Sequence, residues 1–266
     1  MPQTTLLPNA PLIEVIAEVH WKLPVLSMDG VMGYEPRWFD LLSELRPAML
    51  SVMPVEEVVV AAGVSVPLDV LGRSPIVRFR HSPGGWPLIQ LGQGLLTVNA
   101  TPPYDGWPRV SQVLAEALSR AIESSRTFGG LEVEALKLHY RDAFTARHGV
   151  ESPRRFLAET VPFFPGAVFG RLADLAQEDS SQASGELNFA LKDPAGSVAA
   201  VRYGRANLTR SGGTEEAAVL EFIVTRSVGG QIDLASTMKW FEAAHTICSK
   251  LFAQIVPQPV MDRLQR

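Results

Sequence analysis

Apolar and polar residues alternate along residues 12–23, with Ile13, Val15, Ala17, Val19 and Trp21 on one side and Glu14, Glu18 and His20 on the other. A period of two predicts a strand with Trp21 facing inward. Residues 37–49 change to helical spacing, placing Trp38, Leu41, Leu42, Leu45 and Met49 on one stripe, with Pro47 near the end. Three short strand-like runs follow at 76–81, 87–91 and 95–99, separated by Ser82-Pro83-Gly84-Gly85 and Gly92-Gln93-Gly94, the pattern of a meander. Pro108 then opens a helix whose face carries Val110, Val113, Leu114, Ala117, Leu118 and Ala121. Along residues 131–144 the inward set shifts from Leu131, Val133 and Ala135 to Leu136, Leu138 and Tyr140. A strand cannot change face without an extra residue, so a β-bulge is predicted near Ala135, with Lys137, His139 and Arg141 sharing the other face.

The stretch 146–184, rich in proline, glycine and polar residues, reads as an irregular connection with a helical piece around 168–176. Beyond it, Leu187, Phe189 and Leu191 alternate with polar residues, and Asp193-Pro194-Ala195-Gly196 turns the chain into a second strand over 197–208. Ser211-Gly212-Gly213 turns it again into a third strand over 218–225. The last helix has Asp233 as N-cap, an apolar stripe of Leu234, Met238, Phe241, His245, Cys248, Phe252 and Ile255, and Pro257 as stop. The predicted class is α+β: antiparallel sheet with long helices packed on one face, in two similar strand-strand-strand-helix halves. The expected division is an N-terminal half over 1–150, a connection over 151–184 and a C-terminal half over 185–266, forming one domain or two.

Composition narrows the function classes. The 266 residues carry a formal net charge of -4, so no overall positive field exists to bind an extended nucleic acid. Cys248 is the single cysteine and cannot close an intramolecular disulfide, which points to a reducing, cytoplasmic setting. No leader is expected from the N-terminal residues, where Pro8, Asn9 and Pro11 interrupt the apolar positions. The most apolar stretch, 58–68, is half the length a bilayer-spanning helix needs, so no membrane segment is expected.

Several segments together resemble a sporadically distributed, uncharacterised family of bacterial and archaeal proteins of similar length. They are Pro11-Leu12-Ile13-Glu14-Val15, Leu96-Thr97-Val98-Asn99, Tyr104-Asp105-Gly106-Trp107, Leu138-His139-Tyr140-Arg141-Asp142, and the last helix with Trp240, His245 and Phe252. The resemblance implies a fold and a bacterial or archaeal origin, and brings no established activity. Two positions depart from its pattern: His139-Tyr140-Arg141-Asp142 stands in place of arginine-tyrosine-isoleucine-asparagine, and Ala100 in place of a tryptophan.

The candidate chemistry is sparse. His245 and Cys248, one turn apart, offer two metal ligands without an acidic third, and packing in the apolar stripe outweighs that reading. Lys137, His139 and Arg141 begin the densest positive stretch, which continues through Arg147, His148, Arg154 and Arg155; an ion-paired sheet face outweighs an anion site there. Tyr104 and Trp107 flank a tight turn, where a contact surface and helix packing weigh evenly. The pairs Glu132/Glu134, Glu56/Glu57 and Glu215/Glu216 carry no sign of acid-base function, and no nucleotide, metalloprotease or nucleophile-elbow motif is present. The expected binding residues are therefore Tyr104, Trp107, Lys137, His139 and Arg141, with no catalytic set, metal or cofactor. The expected function is a non-enzymatic accessory or inhibitory subunit acting on a protein partner, by analogy linked to mobile or defence loci. A carrier of a small apolar ligand between the last helix and the sheet is the alternative, and an enzyme using His139 or His20 is the third reading.

Overall fold

The computed structural model describes residues 7–26, 33–59, 72–161, 184–210 and 213–266. Its class is α+β. The strands are β1 (Leu12–Trp21), β2 (Val25–Leu26), β3 (Gly33–Tyr34), β4 (Val55–Val58), β5 (Pro75–Arg80), β6 (Leu88–Gly92), β7 (Leu95–Ala100), β8 (Val133–Phe144), β9 (Gly185–Ala190), β10 (Ser197–Arg210) and β11 (Gly213–Ser227). The α-helices among the described residues are α1 (Trp38–Val52), α2 (Trp107–Ser124), α3 (Pro153–Thr160), α4 (Leu234–Ile255) and α5 (Gln258–Leu264). Nine strands form one antiparallel sheet in the order β4-β5-β6-β7-β1-β8-β11-β10-β9, and β2 pairs separately with β3.

The alternation of β1 fixes which side of the sheet is apolar. Val15, Ala17, Val19 and Trp21 are buried, and opposite them in register stand Ala100, Val98 and Leu96 of β7 and Tyr140, Leu138 and Leu136 of β8. The row continues through Phe222 and Val224 of β11 to Val201 and Ala199 of β10. These residues join the apolar stripes of α1, α2 and α4 in one core that includes Trp38, Leu114, Phe241 and Cys248. Removing that much apolar surface from water is the main force holding the layers together.

The expected bulge is present. His20 faces Ala135 and Trp21 faces Val133, so Glu134 is the extra residue, and the shift returns Leu136, Leu138 and Tyr140 to the apolar side. A second irregularity lies at the other end, where Leu12 faces Asp142 and Glu14 faces Arg141. Both turns of the N-terminal meander and the turn at Asp193-Pro194-Ala195-Gly196 fall where expected. Gly94 shows why one of them needs glycine: its φ is 63°, and a Cβ there would lie 2.8 Å from the Trp21 carbonyl oxygen.

Five elements were not expected, the short paired strands β2 and β3 and three others. Strand β4 lies in a segment without clean alternation, α5 follows the proline stop of α4, and α3 begins at Pro153, capped by the Ser152 hydroxyl. The helical piece expected around 168–176 lies outside the described residues. Among the described residues no helix is long and apolar enough to cross a membrane.

Candidate functional site

Strand β8 divides the expected binding residues between its two sides. Lys137, His139 and Arg141 project to the side of the sheet opposite the core, while Tyr140 and Asp142 project toward the helices, near Tyr104 and Trp107. The five residues therefore belong to two separate clusters.

The first is a polar row across six strands. Arg78 Nε of β5 donates to Gln90 Oε1 of β6 at 2.9 Å, and Gln90 Nε2 donates to Asn99 Oδ1 of β7 at 3.0 Å. Thr97 Oγ1 donates to the same Asn99 oxygen at 2.6 Å, and Asn99 Nδ2 donates to Glu14 Oε1 of β1 at 2.8 Å. Arg141 Nη1 of β8 lies 3.8 Å from the other Glu14 oxygen, and its Nε donates to Glu221 Oε1 of β11 at 2.9 Å. Further along β1, Glu18 holds Lys137 Nζ at 2.9 Å and His20 Nε2 at 2.8 Å. Such cross-strand contacts arise because the register places side chains of one face directly opposite each other.

The electrostatics of the row are self-contained. Burial pushes Glu18 upward, but the hydrogen bond from His20 and the charge of Lys137 outweigh it, leaving its carboxyl below the usual range. His139 is only 7% exposed. Burial drives its imidazole down to about 4, with Lys137 and Arg141 acting in the same direction against the attraction of Glu221 and Glu18. The ring is thus neutral at pH 7. Its Nε2 lies 3.4 Å from Glu221 Oε2 yet makes no hydrogen bond of acceptable geometry. The downstream positive stretch does not extend this row: His148 is buried and closes a capping box with Thr145, and Arg155 pairs with Glu159 at 2.7 Å on α3.

The second cluster lies between β8, the start of α2 and the middle of α4. Tyr140 Oη is 2.8 Å from His245 Nδ1 and 3.4 Å from Tyr104 Oη. Trp107 stacks on the His245 ring, with centroids 5.0 Å apart and planes 11° from parallel. Trp107 Nε1 donates to Glu242 Oε2 at 2.9 Å, and Ser111 Oγ donates to Glu242 Oε1 at 2.7 Å. Asp142, the next inward residue of β8 after Tyr140, is 4% exposed, and burial lifts its carboxyl to about 7. Burial raises Tyr104 to about 12 and raises Tyr140 and the Cys248 thiol as well, each with a contribution from Asp142. Burial lowers His245, against the attraction of Glu242.

Tyr140, Asp142, Glu14, Glu18, Asn99 and Glu221 were not among the expected binding residues. A signal for Asp142 was available: an acid two positions beyond Tyr140 in a period-two inward set is a carboxyl predicted to be buried. Cys248 and Phe241 are buried in the stripe of α4, as read from their spacing, and the Cys248 thiol lies 3.7 Å from the Phe222 carbonyl oxygen. The acidic pairs are engaged in ion pairs: Glu132 with Lys22, Glu134 with Arg73, Glu56 with Arg46, Glu57 with Arg80 and Glu216 with Arg205. Among the described residues no three of His, Cys, Asp and Glu gather to hold a metal ion. Compared with known proteins, the chain matches no family profile and no curated sequence.

Proposed function

We propose that the chain is a protein-interaction subunit, accessory or inhibitory, whose binding surface is the sheet face that carries Lys137, His139 and Arg141. The observation that carries this reading is the polar row from Arg78 to Glu221, ordered by hydrogen bonds across six strands on the side away from the core. A surface fixed in advance loses little side-chain entropy on binding, which favours a specific partner. Its charges are mixed: Glu14, Glu18 and Glu221 stand beside Lys137 and Arg141, and these two cations already have carboxylates. That pattern suits a protein surface of alternating charge and opposes a polyanion such as nucleic acid. Ile16, half-buried, and Val198, 43% exposed, add apolar contact area on the same face.

In this reading the molecule comprises two similar halves with the long helices on one face. From the middle outward, the strand orders β1-β7-β6-β5 and β8-β11-β10-β9 correspond. Each half is a strand, a helix, a meander and a second helix. The buried, unpaired thiol of Cys248 fits work in the cytoplasm. The apolar-ligand reading is less favoured, because Phe222, Phe241, Ala244 and Cys248 fill the space beneath α4. The enzyme reading is less favoured too, since Glu18 and Glu221, the carboxylates beside His20 and His139, are already held by Lys137 and Arg141.

The test is affinity isolation from the native host followed by light scattering of the purified complex. The wild-type chain is expected to retain one stoichiometric companion protein. Lys137→Glu and Val198→Glu should release it, and the opposite-face variant Lys239→Glu should retain it. A chain that stays alone and monomeric, or a companion indifferent to both sheet-face changes, overturns the reading.

A further inference from the structure

The two ends of the nine-stranded sheet differ in what they present to another strand. β4, at one end, is short and acidic, with Glu56 beside Arg46 and Glu57 beside Arg80. If β4 met an antiparallel copy of itself with the faces of the sheet kept, any register near its middle would set a glutamate opposite the same glutamate. Like charges so placed repel, and an edge of this kind is guarded. β9, at the other end, has no proline and an unbroken register against β10, and its one charged residue, Glu186, is held by Arg202 of β10. Both of its faces are open: Glu186, Asn188 and Ala190 are exposed on the side away from the helices, and Phe189 is 41% exposed on the helix side.

The ladder fixes which backbone groups of β9 point outward. The Leu191 amide donates to the Ser197 carbonyl oxygen at 2.9 Å, and the register then runs Phe189 to Ala199 and Leu187 to Val201. Hydrogen-bonded and non-hydrogen-bonded pairs alternate along antiparallel strands, so Leu187 and Phe189 turn their N–H and C=O groups to β10. Those of Glu186, Asn188 and Ala190 point away from the sheet. Such a row of donors and acceptors fits another extended strand.

The side chains of β9 suit one strand in particular, its own copy. In an antiparallel pair centred on Asn188, that residue meets itself, and Glu186 meets Ala190 of the second copy, so every outward N–H finds an outward carbonyl. No charge meets its like. On the helix side Leu187 of each copy lies opposite Phe189 of the other, in the pairs where side chains approach most closely. We propose that β9 is a self-association edge: two copies of this chain join antiparallel about a two-fold axis at Asn188, continuing one sheet through both molecules.

Light scattering of the purified full-length chain over a concentration series tests this. The wild type should approach twice the mass of one chain. Asn188→Pro removes an N–H that β10 does not use, so the fold keeps its own ladder while the seam loses its central bonds, and the mass should fall to that of one chain. Phe189→Glu, which sets a charge against Leu187 of the second copy, should do the same. Mild oxidation of Asn188→Cys reads the register, because opposite Cα atoms in a hydrogen-bonded pair lie about 5.5 Å apart, within disulfide reach. That variant should cross-link, whereas Ala190→Cys, facing Glu186, should not, and the native Cys248 is buried. A wild type that stays at the mass of one chain, a dimer that survives both Asn188→Pro and Phe189→Glu, or equal cross-linking at 188 and 190 overturns the proposal. Should Asn188→Pro fail to fold, Phe189→Glu and the cross-links decide. The chain is measured without a companion, so either result leaves the sheet-face reading as it stands.

Discussion

Two buried titratable side chains on opposite sides of β8 give the stability of this chain opposite pH dependences. Asp142 rises from 3.8 to about 7 on folding, so the folded state holds a proton that the unfolded chain releases. Its contribution is greatest below about pH 4 and is lost as the pH climbs toward 7, a decline of up to about 4 kcal/mol. His139 behaves in reverse, falling from 6.5 to about 4: its contribution is complete above pH 6.5 and is lost as the pH falls through 6.5 toward 4. Urea titrations at pH 4.5 and pH 8 separate the two. Asp142→Asn should be more stable than wild type at pH 8 and lose that advantage at pH 4.5, whereas His139→Gln should lose less stability than wild type on acidification. A variant with the same pH slope as wild type would mean its residue is not the one titrating. At this scale the sequence showed that His139 and Tyr140 occupy opposite faces, because period two requires it. It did not show that His139 is buried, since lysine and arginine on both sides read as a solvated surface.

Elements were legible wherever a local rule and the periodic pattern coincided. Asp233 accepts from the Ser236 amide at 2.7 Å and starts α4 where the spacing predicts. The change of inward phase along β8 required an extra residue, and the extra residue is Glu134. Strand β4 and helices α3 and α5 were missed because each is short and stabilised by neighbours more than by its own pattern. The two-residue connection between β6 and β7 permits a sharp test. Gly94 combines a φ of 63° with a Cβ position 2.8 Å from the Trp21 carbonyl oxygen, and its own carbonyl accepts from the Trp21 amide at 3.0 Å. Gly94→Ala should cost more than about 1 kcal/mol in chemical denaturation. Gly129→Ala, at a φ of 87° with nothing within 4 Å of the added Cβ, should cost less. Equal losses would show that close approach to Trp21 does not matter.

At the scale of the molecule, β1 and β8 pair along nearly their whole length, and the core cluster runs from Trp38 and Phe79 through Leu138 to Phe222 and Phe241. A shared sheet and a shared core leave neither end independent, so calorimetry should show one transition, with equal calorimetric and van't Hoff enthalpies. Two resolved transitions would place a boundary where the seam between β1 and β8 now lies. By itself the chain determined its class, most element positions, the inward faces of β1, β8 and β11 and the balance of charge, because those follow from local propensity and from periods of 2 and 3.6 residues. Which strands became neighbours was decided by the tertiary fold. Pairing β8 between β1 and β11 brought Glu14, Arg141 and Glu221 into one row and set Asp142 between Leu12 and Leu220. Contacts of that kind join residues far apart in the chain, as Glu14 and Arg141 are, and no local pattern records which distant partner a strand will meet.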